Sequence, residues 1–81
     1  MRVRVRFFAE AREALGRAEI ERELPCGTTA GELAAQLARD FPSLRSQMAN
    51  MKMAVNCKYA RAGTELQDGD EVACLPPVGG G

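Results

Sequence analysis

Hydrophobic residues take every second position from Val3 to Phe7, with Arg2, Arg4 and Arg6 between them. Successive side chains of a strand point to opposite faces of a sheet, so this pattern predicts a strand with one buried and one wet face. Phe8 breaks the alternation and puts an aromatic ring on the arginine side. The next stretch, AEAREALG at 9–16, consists of good helix formers closed by a glycine, and predicts a short helix inside the connection. Residues 18–24, AEIEREL, alternate less cleanly, with Ile20 and Leu24 apolar. They predict a second strand pairing back on the first.

The strongest helical signal runs over residues 25–42, PCGTTAGELAAQLARDFP. Thr29 and Glu32 have the spacing of a capping box, in which hydroxyl and carboxylate satisfy two orphan backbone donors reciprocally. Ala30, Leu33, Ala34, Leu37, Ala38 and Phe41 then recur at three and four, which makes one apolar stripe. Pro42 ends the helix. Residues 43–51 have no clear period and fit either loop or a weak further helical turn. Alternation returns in KMAVNCKY at 52–59, predicting a strand with Met53, Val55 and Cys57 on one face. Leu66 is a core plug within the turn segment that follows, and Asp68-Gly69-Asp70 predicts a tight turn. EVACL at 71–75 is the final strand, with Val72 and Cys74 alternating against Ala73 and Leu75. Pro76 and Pro77 stop it, since neither donates to a ladder.

The order is therefore strand, strand, helix, strand, turn, strand. One long helix across a mixed sheet buries both the helix stripe and one sheet face. This predicts an α+β chain of the β-grasp, or ubiquitin-like, class: a four- to five-stranded mixed sheet with one main helix on one face. A chain of 81 residues has room for one core, and at this size folding buries roughly 60% of the surface of the unfolded chain. The domain is expected over residues 1–76, with 77–81 as a flexible tail.

Composition narrows the chemistry. Eleven basic and eleven acidic residues cancel, so no global field draws the chain to nucleic acid or to a membrane surface. No apolar run spans a bilayer, and the charged start leads into no signal-peptide core. Cys26, Cys57 and Cys74 are widely spaced and odd in number, which argues against a disulfide framework or a zinc site and for a reduced, cytoplasmic setting. Histidine is absent, so no Ser-His or Cys-His nucleophile pair exists within the chain. Any part in catalysis is that of a component, not of a lone enzyme, with no cofactor or metal of its own.

The remaining feature is the end of the sequence, CLPPVGGG at 74–81. Gly79, Gly80 and Gly81 lack a Cβ and can enter a channel too narrow for other residues. Pro76 and Pro77 fix φ and limit the wandering of the tail where it leaves the sheet. Extended, residues 77–81 reach at most ~16–18 Å, enough to carry a terminal carboxylate deep into another protein. A carboxylate is a poor electrophile, but adenylation gives it a good leaving group, after which it accepts sulfur or an amine. A glycine-rich end is equally what a frayed terminus looks like; the predicted fold and the proline exit favour the functional reading.

At this point the residues resemble a family. FFAEAREALG at 7–16, AVNCKYA at 54–60, LQDGDEVACLPPV at 66–78 and the terminal Gly80-Gly81 resemble the MoaD/ThiS family of small ubiquitin-like sulfur carriers, and within it the small subunits of molybdopterin synthase. The likeness covers essentially the whole chain, and D-G-D-E-V-x-x-x-P-P-V-x-G-G is its specific part. Departures are mild: Cys74 and Leu75 stand where bulkier residues are common, and Gly79 replaces a small polar residue. The resemblance implies a sulfur relay. An adenylating enzyme uses ATP to form an acyl-adenylate on Gly81, and a sulfur donor converts it to a thiocarboxylate. The tail, Pro77 to Gly81, then inserts into the large subunit and delivers sulfur to cyclic pyranopterin monophosphate. The implied assembly has two large and two small subunits, with the catalytic side chains on the large ones.

Other residues admit two readings each. Phe8 and Leu75 are expected on the outer sheet face, on adjacent strands, where clustered apolar groups mark a partner interface; alternatively Phe8 tucks under the short helix. Val78 either anchors the tail to a partner or caps the sheet edge. The arginine row is a solvated face, or it meets an acidic patch on the activating enzyme. Cys57 and Cys74 are expected inward as small hydrophobes and Cys26 exposed. Asp68 and Asp70 make a poor metal cage and fit a turn instead. Competing functions are a sulfur carrier for another pathway, such as thiamine thiazole synthesis, a ubiquitin-like protein modifier, and an interaction domain with an inert tail.

Overall fold

The alternation that opens the chain becomes strand β1 (Arg2–Phe7), which buries Val3, Val5 and Phe7 and leaves its three arginines in solvent. The computed structural model describes residues 1–48 and 50–75. Helix α1 (Ala9–Leu15) ends on Gly16, whose φ of 74° is the left-handed conformation that a Cβ disfavours; its N–H donates to the Arg12 carbonyl at 2.9 Å. Strand β2 (Glu19–Glu23) pairs antiparallel with β1. Its imperfect alternation has a cause: Arg22 occupies the helix-facing side of this edge strand. There its guanidinium lies 5.3 Å from the Phe41 ring centroid and donates to Asp40 at 2.6 Å.

Helix α2 (Ala30–Asp40) starts on the predicted capping box. The Thr29 hydroxyl accepts from the Glu32 N–H at 3.2 Å, and the Glu32 carboxylate accepts from the Thr29 N–H at 2.9 Å. Its apolar stripe meets the sheet, so that Ala30, Leu33 and Leu37 share one core with Val3, Val5, Phe7, Val72 and Cys74. The unassigned stretch after Pro42 proves helical in two short pieces, a 3₁₀ turn (Pro42–Leu44) and α3 (Arg45–Met48). Fully buried Leu44 pins them to the core.

Strands β3 (Lys52–Val55), β4 (Lys58–Ala60) and β5 (Glu71–Leu75) complete a five-stranded sheet in the order β2-β1-β5-β3-β4. β5 runs parallel to β1 and antiparallel to β3. This is the β-grasp arrangement. The single strand expected over 52–59 is instead a hairpin: Val55 pairs with Lys58 across Asn56 and Cys57, whose φ values are 50° and 70°. Two consecutive positive φ values match the twist of a two-residue hairpin turn. Met53 and Val55 keep the core side, opposite Cys74 and Val72. Cys57, expected inward, is exposed in the turn.

The Asp-Gly-Asp turn joins three segments. Asp68 accepts from the Arg2 N–H at 2.8 Å, and Gly69, at φ 86°, donates to the Arg2 carbonyl at 2.8 Å. The buried Asp70 carboxylate accepts from the Gln67 N–H and from the Asn56 side-chain amide, both at 2.8 Å. Asn56 in turn accepts from the Glu71 N–H at 3.0 Å. The start of α2 is tied to the 61–66 segment by Ala30 and Gly31 N–H groups donating to the Thr64 and Ala62 carbonyls. Gly31 is required there, since a Cβ would lie 2.9 Å from the Ala62 Cβ and 3.0 Å from its carbonyl oxygen.

Two substitutions test this framework. Asp70→Ala removes the buried acceptor of two part-buried hydrogen bonds, from the Gln67 N–H and the Asn56 amide, and should cost about 1–2 kcal/mol in urea unfolding. Gly31→Ala improves helix propensity yet should destabilise by about 1–3 kcal/mol through overpacking against the Ala62 backbone. A neutral or stabilising result at residue 31 would refute the close approach.

Candidate functional site: the outer face and the root of the tail

The face of the sheet away from α2 is fixed by register. Arg2, Arg4 and Arg6 stand opposite Glu23, Glu21 and Glu19 on β2. Arg4 and Arg6 stand beside Glu71 and Ala73 on β5. Ala73 and Leu75 face Ala54 and Lys52 on β3, and Ala54 faces Tyr59 on β4. The face is therefore charged along β2 and β1, apolar at Ala73, Leu75, Ala54 and Tyr59, and cationic again where Lys52 stands beside the β4 edge.

The charged half neutralises itself. Arg2 donates to Glu23 at 2.8 Å, Arg4 lies 3.4 Å from Glu19, and Arg6 lies within 3.9 Å of Glu19 and 3.6 Å of Glu71. The hydrogen bond and charge of Arg2 hold the Glu23 carboxyl below its ordinary pKa, and Glu23 raises that of Arg2. The arginine row is thus a solvated face with partners inside the chain.

Phe8 and Leu75, expected on the outer face of adjacent strands, come together there. They line one groove of about 310 Å³ with Arg6, Ala54, Tyr59 and Ala73. Arg6 holds the Phe8 ring from 5.4 Å, within cation–π range. Phe8 also borders a second hollow with Ala11 and Met51, on the helix side, so both positions considered for it are partly occupied. Tyr59, 71% exposed, is the large apolar side chain most open to solvent among the described residues. Leu75 is the last described residue, so the groove adjoins the root of the tail. Pro77, Val78, Gly79, Gly80 and Gly81 lie outside the described residues.

The thiols divide as their surroundings dictate. Cys74 is fully buried, and burial pushes its pKa up to about 12, which leaves it a neutral thiol against Met53. Cys26 and Cys57 are exposed. No cluster of metal-ligating side chains occurs among the described residues, and Asp70 spends its oxygens on the turn. No helix among them is long and apolar enough to cross a membrane.

Comparison with known proteins agrees with this architecture. The model of the ThiS family matches residues 5–81. This chain belongs to the ThiS family. Among curated relatives of this family member, the molybdopterin synthase sulfur carrier subunit of Mycobacterium tuberculosis is 42% identical, with 100% of this chain and 99% of the relative covered. Its counterpart in Chlamydomonas reinhardtii is 40% identical, and both chains are covered in full. A putative molybdopterin converting factor subunit 1 from Pyrococcus furiosus superposes with a TM-score of 0.86 at 31% identity, covering 96% of this chain and 99% of that one. A chain from the Helicobacter pylori complex of subunits 1 and 2 of molybdopterin-converting factor gives 0.73 at 29% identity, with both chains fully covered. Small archaeal modifier protein 1 from Methanosarcina acetivorans gives 0.79 at 26% identity, covering 99% and 96%. The ThiS-family fold is thus shared by carriers and by a modifier, and the fold alone does not separate them.

Thiol labelling tests the burial pattern directly. Iodoacetamide at neutral pH should modify Cys26 and Cys57 and spare Cys74 until denaturant is added, as read by peptide mass spectrometry. Native labelling of Cys74 would contradict the core described above.

Proposed function

We propose that this chain is the sulfur-carrying small subunit of a molybdopterin synthase, with the carboxyl group of Gly81 as the carrier atom set. What supports the reading most is the full-length match to relatives that bear that name, at 40% and 42% identity. The apolar groove at the root of the tail supplies a place for a large subunit to sit while the glycines enter it. The Helicobacter pylori chain, found with its subunit 2, has the corresponding fold.

The chemistry follows from the carboxylate. An adenylating enzyme directs a Gly81 oxygen onto the α-phosphorus of ATP and pyrophosphate leaves. Sulfide-level sulfur from a donor then attacks the carbonyl carbon and AMP departs with that oxygen, leaving a thiocarboxylate. In the large subunit the sulfur passes to cyclic pyranopterin monophosphate and water restores the carboxylate; two such deliveries form the dithiolene. Gly79 and Gly80 give the tail its narrow cross-section and Pro77 its direction, while Val78 anchors it. Phe8 and Leu75 bind the partner surface. ATP is bound by the activating enzyme, and the assembly has two large and two small subunits. Such chemistry suits the cytoplasm.

A second reading, protein modification through an amide at Gly81, is favoured by the likeness to the archaeal modifier. Mass spectrometry of the C-terminal peptide from the native host separates the two. One oxygen replaced by sulfur at Gly81 is the expected result. A free acid after incubation with ATP, a sulfur donor and the activating enzyme defeats the relay, and lysine-linked adducts in its place establish the modifier.

A further inference from the structure

The two halves of the outer face obey opposite electrostatic rules. Across β1 and β2, each outward pair is of opposite sign: Arg2 with Glu23, Arg4 with Glu21, Arg6 with Glu19. Such pairs stabilise a sheet, and like charges directly opposite destabilise it. At the other edge the rule is broken. Met53 pairs with Ala60, so the same register carries Lys52 opposite Arg61. Both are exposed, and both line one recess with Met53, Tyr59 and Ala60. Neither forms an ion pair among the described residues. The fold thus tolerates a repulsive pair at one edge after matching every outward pair at the opposite one.

This position is continuous with the docking groove. Tyr59 borders both the groove and the cation recess, and Lys52 stands directly across from Leu75 at the root of the tail. A partner that covers Leu75 and Tyr59 therefore also covers Lys52 and Arg61. Two cations with no acid of their own call for carboxylates on that partner, because covering them unpaired would cost their hydration. β4 is an edge strand whose outer backbone groups have no neighbouring strand in the sheet, which suits an extended acidic segment.

We propose that Lys52 and Arg61, flanking Tyr59, form an electrostatic extension of the groove that receives an acidic segment of the large synthase subunit. The arginine row does not serve this purpose, since its charges are already satisfied within the chain. The proposal rests on the carrier reading and gives that reading's docking face a polarity: apolar at Phe8 and Leu75, cationic at the β4 edge.

The test is the association of the full chain with the large subunit from the same organism, followed by biolayer interferometry over a salt series. Lys52→Glu should slow association about tenfold and flatten its salt dependence with little change in dissociation, as for a charge at an interface rim. The same substitution places opposite charges across β3 and β4, so its melting temperature should rise. Stability and association then move in opposite directions, which general damage to the fold does not produce. Arg2→Gln, on the self-neutralised half, should leave association within about twofold of the unaltered chain. Equal rates for Lys52→Glu and Arg2→Gln, with the unaltered chain binding normally, overturn the cationic extension and leave the carrier reading standing. Failure of the unaltered chain to bind at any salt, with no sulfur found at Gly81, overturns both.

Discussion

The parallel pairing of β1 with β5 is the contact on which the rest of this protein depends. Each of these strands already belongs to a separate antiparallel unit, β1 with β2 and β5 with the β3–β4 hairpin. Only their mutual register, Val5 beside Val72 and Phe7 beside Cys74, turns two ribbons into one sheet broad enough for α2 to cover. The same register brings the end of β1 beside the end of β5. Phe8 and Leu75 meet for that reason, although 66 positions separate them in the chain.

Polar groups guard the entrance to this pairing. β5 begins where the Asp70 carboxylate gathers Gln67 and Asn56, while Asp68 and Gly69 grip the backbone of Arg2. A turn of three small residues thereby aligns the first strand, the last strand and the β3–β4 turn at one end of the sheet. The opposite end holds the groove of Phe8 and Leu75, with Lys52 directly across from Leu75, and the chain continues from Leu75 into Pro76. The hydrogen-bonded turn and the exposed groove thus occupy opposite ends of the same two strands.

Much of this was legible in the sequence because side-chain periodicity reports burial. The valines of β1, the stripe of α2 and the alternation of β5 each named their own buried face. The β3–β4 hairpin was hidden for a physical reason. The two-residue turn shifts the alternation by one, so Lys58 and Ala60 share the face of Val55 and Met53, but β4 is too short to declare a period of its own, and Asn56-Cys57 lacks the glycine that usually betrays positive φ. Leu44 was missed because one anchoring side chain in a short helical segment sets no period. The network around Asp70 was invisible for another reason: its partner Asn56 is remote in sequence, and a turn signal says nothing about what the turn carboxylate holds. At the site, the placement of Phe8 and Leu75 followed from alternation plus topology. The pairing of every outward arginine, and the mismatch at Lys52, needed the register itself.

Because the last strand sits in the middle of the sheet, the chain has no stable intermediate economy of edges. A nascent polypeptide halted before Glu71 would display both the inner edge of β1 and that of β3, two long rows of unsatisfied backbone groups that invite aggregation. The strand that silences those edges is also the one that leads into the terminal glycines, so on the carrier reading proposed above, a molecule that offers its glycines to a partner is one whose sheet has already closed.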